Sequence, residues 1–206
     1  MAHRINNHLT FIHIPKNAGT SISNWIKKYH SYKFDGIEHQ HIDLVRSDWQ
    51  DNMFCVVRNP WQRAVSWYFF VCQMLKKKNN GVNINFIQPQ LEKLDYGFES
   101  FVLNYHNIVF KKTRHWRGPA VFTLKSIAHT NFIGYNFPGI ILKYENLRQD
   151  FEQIQEITKC KSPLPFDNIT DYANKHKWKK YYNNTTVEAV YNIFKKDIEL
   201  FNYKFD

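Results

Sequence analysis

Residues 11–21 read Phe11-Ile12-His13-Ile14-Pro15-Lys16-Asn17-Ala18-Gly19-Thr20-Ser21. Leu9, Phe11, Ile12 and Ile14 give the apolar run of a buried strand, and Ile22, Trp25, Ile26 and Tyr29 recur at helical spacing. Between the two stands Lys16, with Pro15 before it and Gly19 three residues after. Gly19 lets backbone approach an anion closely, and Thr20 and Ser21 add hydroxyl donors at the helix start. The free N–H groups and positive dipole end of a helix N-terminus suit phosphate or sulfate. The pattern is not a Walker A loop, which needs Gly-x-x-x-x-Gly-Lys-Ser/Thr. Here the lysine precedes the glycine, and no glycine comes earlier in the chain. A phosphate-like group without the usual Mg-binding arrangement is the expected ligand. The plain alternative is a strand–turn–helix corner with a solvated lysine.

A second phosphate-type segment follows. Residues 54–57, Phe54-Cys55-Val56-Val57, form another short buried strand, and Arg58 stands at its end. Asn59 can cap a helix and Pro60 fits its first position. Ala64, Val65, Tyr68, Val71, Cys72 and Leu75 supply an apolar helical face. Arg58 and Ser66 can both address an anion at the carboxyl edge of a sheet, where open α/β folds place ligands. The planar fork of arginine takes phosphate oxygens in pairs. Arg63, on the same helix, reads as a solvated or ion-paired surface residue.

At this point the chain resembles a known family. Ile12 to Ser21 is similar to the 5′-phosphosulfate loop of sulfotransferases, and Val57-Arg58-Asn59-Pro60-Trp61-Gln62-Arg63-Ala64-Val65-Ser66-Trp67-Tyr68 to their 3′-phosphate motif. The resemblance is closest to the carbohydrate branch, including heparan sulfate 2-O-sulfotransferases and small bacterial and viral members. Weaker echoes are His115-Trp116-Arg117, Lys143-Tyr144-Glu145-Asn146-Leu147, Tyr181-Tyr182 and the stretch from Asp197 to Tyr203. Residues 76–96 have no counterpart.

The resemblance implies a donor, 3′-phosphoadenosine 5′-phosphosulfate (PAPS), and a product, adenosine 3′,5′-bisphosphate (PAP). It makes Lys16 the residue that contacts the phosphosulfate and steadies the leaving oxygen. Gly19, Thr20 and Ser21 would wrap the 5′-phosphate, with Asn17 and Ala18 as donor-binding positions in the same loop. Arg58 and Ser66 would hold the 3′-phosphate. Glu38-His39-Gln40-His41-Ile42-Asp43 lies between the two motifs. It resembles the His-x-His of the 2-O-sulfotransferase branch, which makes His41 the base and gives His39 a supporting role. Imidazole, with a pKa of about 6.5, suits general-base work near neutrality. The alternatives are His39 as base, or a metal site on a strand face with Asp43. The second is weaker, because Asp43 is the only nearby carboxylate continuing the alternation and no cysteine pair joins it. His13 reads as structural, and His115 and Arg117 fall at the acceptor-binding segment. No metal is required by this scheme.

Composition sets limits. A chain of 206 residues is long enough for one domain with a full core, taken as 1–206. The formal charge of +10 calls for an anionic partner. The donor and an anionic glycan would both satisfy it. Charge alone also fits nucleic acid, but two ordered phosphate motifs do not, so no nucleic-acid partner is expected. Three cysteines, Cys55, Cys72 and Cys160, are few and odd in number, which points to a reducing compartment. No apolar segment approaches the roughly 20 residues needed to span a membrane. The expectation is a soluble cytoplasmic enzyme, or a catalytic domain trimmed of a Golgi membrane anchor.

The rest of the chain predicts a helix over 98–110 and a strand over 139–143. Capping boxes are expected at Asn146/Gln149 and Thr185/Glu188, the second opening a long amphipathic helix. The fold expected is a single α/β domain with a P-loop-like central parallel sheet flanked by helices. The functional expectation is a PAPS-dependent O-sulfotransferase acting on a carbohydrate hydroxyl. Its rivals are a P-loop small-molecule kinase or NTPase, and a non-catalytic polyanion-binding module.

Overall fold

A computed structural model describes residues 2–35, 41–79, 97–104, 110–111, 121–122, 128–165 and 177–206. Its strands are β1 (Ala2–Ile5), β2 (Leu9–Ile12), β3 (Tyr32–Asp35), β4 (Met53–Val57), β5 (Phe110–Lys111), β6 (Val121–Phe122) and β7 (Ile140–Lys143). Its α-helices are α1 (Gly19–Tyr29), α2 (Pro60–Asn79), α3 (Phe98–Leu103), α4 (His129–Ile133), α5 (Leu147–Asp150), α6 (Glu152–Thr158) and α7 (Asn184–Leu200). Contacts divide the chain into two units, Met1–Arg58 with His129–Ile169, and Asn59–Ala128 with Thr170–Asp206.

The first unit holds a five-stranded sheet in the order β3-β1-β2-β4-β7. β2, β4 and β7 run parallel, and β2 and β4 are buried along their whole length, as strands covered on both faces are. β1 pairs antiparallel with both β2 and β3, so the sheet is mixed rather than wholly parallel. The physical reason lies in Asn6 and Asn7. Both adopt left-handed φ (48° and 64°), which asparagine tolerates, and the chain folds straight back from β1 into β2.

The polar look of the first residues conceals a buried strand. Arg4 is buried, and its guanidinium grips the exposed Asp51 carboxylate through two bonds of 2.6 and 3.2 Å while also donating to Thr10 Oγ1 and the Asn7 carbonyl. That contact holds the Asp51 carboxyl down at about 2. His3 is also buried, 3.1 Å from Ser23 Oγ on α1. The core joins Phe11, Phe54 and Leu142 of the sheet to Ile22, Trp25 and Ile26 of α1 and to Phe151 and Ile154 around α6.

In the second unit, Asn59 Oδ1 accepts from the N–H groups of Trp61 and Gln62 and caps α2, as the sequence predicted. Trp61 Nε1 donates to the Val187 carbonyl and Tyr182 Oη to the Trp61 carbonyl, which ties α2 to α7. Arg63 is only 1% exposed, contrary to its reading as a surface residue: its helix face is covered.

Three local expectations are corrected. The helix at 98 ends at Leu103, where Asn104 Nδ2 turns back to the Ser100 carbonyl; residues 105–109 lie outside those described and Phe110 is in β5. Asn146 makes no side-chain cap, because Tyr144–Asn146 is a 3-10 turn and Asp150 Oδ2 instead accepts from Lys143 N. The box at the start of α7 is built by Asn183 and Thr186, not Thr185 and Glu188.

Two outcomes test these assignments. Asn183→Ala should cost about 1 kcal/mol in urea denaturation, with Thr185→Ala and Glu188→Ala close to neutral. Burial, followed by the positive charges of the chain N-terminus and Lys27, pulls the His3 imidazole down to about 3. The unfolded chain takes up that proton near 6.5, so the stability His3 contributes is full above pH 6.5. It is lost as the pH falls from 6.5 toward about 3, at up to ~1.4 kcal/mol per pH unit. His3→Gln should flatten that part of the pH–stability curve.

Candidate active site

β2 and β4 lie side by side, with Ile12 at the end of β2 level with Cys55, and β4 continuing to Val57. After β2 the chain turns through residues 13–18 into α1. Lys16 and Ala18 both take left-handed φ, 65° and 59°. Such alternation turns successive N–H groups toward one concavity, a recurrent anion-binding form. Ala18 supplies no side-chain cap to α1, and no acidic residue occupies its first turn. An anion there meets a positive helix end with no competing carboxylate in that turn. Ser21 is buried and Thr20 exposed at this end.

The glycine at 19 has a concrete cause. A Cβ at this position would fall onto the His13 imidazole, which stacks on Phe11 at 5.7 Å. His13 is therefore packed against the turn, as its structural reading expected.

Two hydrogen bonds cross between this turn and the end of β4. Asn17, 1% exposed, donates from Nδ2 to the Val56 carbonyl at 2.6 Å. Arg58, 3% exposed, donates from Nη1 to the Lys16 carbonyl at 3.1 Å. The Arg58 guanidinium also lies over the Tyr144 ring, 3.9 Å from its centroid, in cation–π contact. The Arg58 backbone N–H donates to Nε2 of the fully buried His129, at 3.2 Å. Because Nε2 accepts here, it carries no proton.

His41 precedes the 3-10 turn Ile42–Leu44 and is half-buried, not part of a strand. Its ring lies 5.1 Å from that of Phe132 on α4. Burial pulls its pKa below the ordinary 6.5, with Asp43 opposing the shift. One short helix thus carries Phe132 against His41 and His129 against the Arg58 backbone.

Of the residues singled out in the sequence, Lys16, Asn17, Ala18, Gly19, Ser21 and Arg58 meet in this one region of the first unit, and His41 joins it through α4. Ser66 is buried on α2, in the second unit. His39, His115 and Arg117 lie outside the described residues. Sequence reasoning missed two contributors. Tyr144 lay within a quoted motif without a role, and His129 had no sequence signal because its partner is 71 residues away.

The family model described as the sulfotransferase family matches residues 4–204. No curated protein and no solved structure matched the chain.

The environment of His41 is directly measurable. In an NMR titration its imidazole should titrate below 6.5, and Asp43→Asn should move it lower still, since the carboxylate raises it. A value at or above 6.5 would contradict the placement against Phe132.

Proposed function

The chain belongs to the sulfotransferase family, and we propose that it moves a sulfuryl group from PAPS to a hydroxyl of a carbohydrate acceptor. The observation that carries the donor assignment is the pair of crossed bonds, Asn17 to Val56 and Arg58 to Lys16. They set a helix N-terminus with a lysine beside a buried arginine, at the carboxyl ends of adjacent parallel strands. The residues fit such a donor: two cations and a run of backbone N–H groups suit a ligand with two separated phosphates.

In this reading PAPS, when bound, supplies an activated sulfuryl group and a phosphate leaving group. The N–H groups of Gly19, Thr20 and Ser21 hold the 5′-phosphate, and the Lys16 ammonium offsets charge that builds on the bridging oxygen. Arg58 pairs with the 3′-phosphate, away from the chemistry, so its work is binding and donor selection. Ser66 joins it as a hydroxyl donor. His41 accepts the proton of the acceptor hydroxyl, with His39 in support, while His115 and Arg117 contact the acceptor. Lys16 and Arg58 provide the positive charge, so the scheme uses no metal ion. Among the described residues, no helix is long and apolar enough to cross a membrane.

Thermal unfolding in the presence of PAP tests the donor. Occupying a native site at about 100 times its dissociation constant should add roughly 2.7 kcal/mol. Arg58→Ala should remove most of that gain. His41→Ala should keep it while abolishing sulfuryl transfer to a glycan acceptor. Stabilisation by ATP–Mg and none by PAP would overturn the reading in favour of a kinase.

A further inference from the structure

We propose that Asn17 is a positioning residue that couples the two phosphate sites of the donor, so that recognition of the 3′-phosphate depends on a side chain in the 5′-phosphate loop. The inference rests on the donor assignment above and goes beyond it by naming what joins the two sites.

The crossed bonds run in opposite senses. A side chain of the loop donates to a carbonyl at the end of β4, and a side chain just past β4 donates to a carbonyl of the loop. Their endpoints are close in sequence on both sides: Lys16 and Asn17 on the loop, Val56 and Arg58 on the strand end. Neither the loop nor the guanidinium can shift without straining a bond that the other uses.

Asn17 stands between two non-glycine residues in the left-handed region. Such conformations are sparsely populated and persist only where the surroundings fix them. The Asn17 amide is a fixed point of that kind, short and buried. Its Oδ1 has no partner among the described residues, so the amide acts on its surroundings through Nδ2.

Arg58 donates one N–H to the Lys16 carbonyl. A phosphate bound by the same guanidinium fixes the arginine, which fixes the Lys16 carbonyl and the loop behind it. By linkage, a loop already held by Asn17 presents Arg58 to that phosphate more favourably. Cutting the Asn17 bond keeps Lys16, Arg58 and the N–H groups of Gly19, Thr20 and Ser21 in the chain but loosens their coupling.

Calorimetric titration of the whole chain with PAP and with adenosine 5′-monophosphate separates the two effects. The dissociation constant of adenosine 5′-monophosphate divided by that of PAP measures the contribution of the 3′-phosphate. Asn17→Ala should lower that ratio by about five- to tenfold, the size of one hydrogen bond's net contribution. Equal weakening of both ligands would show that Asn17 only shapes its own loop, and would overturn the proposal. Failure of the wild-type chain to bind PAP would instead overturn the donor assignment, and this proposal with it.

Asn17→Asp, which keeps the shape, guards against a folding defect. It sets an oxygen against the Val56 carbonyl and should reproduce the loss near pH 8. The Arg58 guanidinium on the adjacent Lys16 carbonyl favours the ionised carboxylate, so the loss should persist down to about pH 5. A wild-type ratio in this variant would rule out the hydrogen bond as the cause.

Discussion

The parallel pairing of β2 with β4 is the constraint from which the rest of the site follows. Its register sets Thr10 against Met53, Phe11 against Phe54 and Ile12 against Cys55, with the Phe11 and Phe54 rings 5.0 Å apart. β4 therefore runs on past the end of β2 to Val57, and the turn after β2 lies beside the end of β4. A slip of one residue would shift the Val56 carbonyl by about 3.3 Å and turn each side chain to the opposite face. The 2.6 Å bond from Asn17 could not survive it. The core that holds this register is thus also what holds the functional groups together.

Concentrating positive charge at one sheet edge carries an energetic cost, and neutral groups offset part of it. The Lys16 carbonyl and the Tyr144 ring both stabilise the Arg58 guanidinium, yet neither carries a formal negative charge. His129 accepts the backbone N–H of Arg58 on an unprotonated nitrogen, adding no positive charge there. The first turn of α1 holds no carboxylate. Arg4 is the contrast within the same unit: buried as well, but gripped by the carboxylate of Asp51. Arg4 is held by a carboxylate, whereas the contacts described for Arg58 are to a carbonyl oxygen and a ring face.

How much of this was legible in the sequence follows from the range of each signal. β2, α1, β4, α2 and β7 were readable because apolar periodicity and local turn residues, such as the Asn59 cap, act within a few positions. β1 was hidden because two of its four residues are His3 and Arg4, whose burial is supported by Ser23 and Asp51, far along the chain. β3 was hidden for the opposite reason: as an edge strand it exposes Tyr32, Lys33 and Phe34 and shows no buried pattern. The turn between β2 and α1 was legible as a phosphate-type motif, but its bracing was not. Val56, His129 and Tyr144 become its partners only when separate strands and helices meet.

The same distinction bears on the proposed base. At the ordinary pKa of about 6.5, roughly three quarters of imidazoles are already neutral at pH 7. Lowering the pKa of His41 can add at most the remaining quarter to its active form, while each unit of lowering weakens it as a proton acceptor. Burial against Phe132 is therefore poorly explained as a way of keeping the ring neutral. What the contact supplies is a fixed ring, carried by the same short helix that holds the Arg58 backbone. The cost is borne when the ring takes up a proton, because the imidazolium is then partly desolvated. Asp43 lowers that cost, since its carboxylate is the group that favours the charged form. Position and charge compensation, rather than a tuned pKa, are what His41 gains from its surroundings.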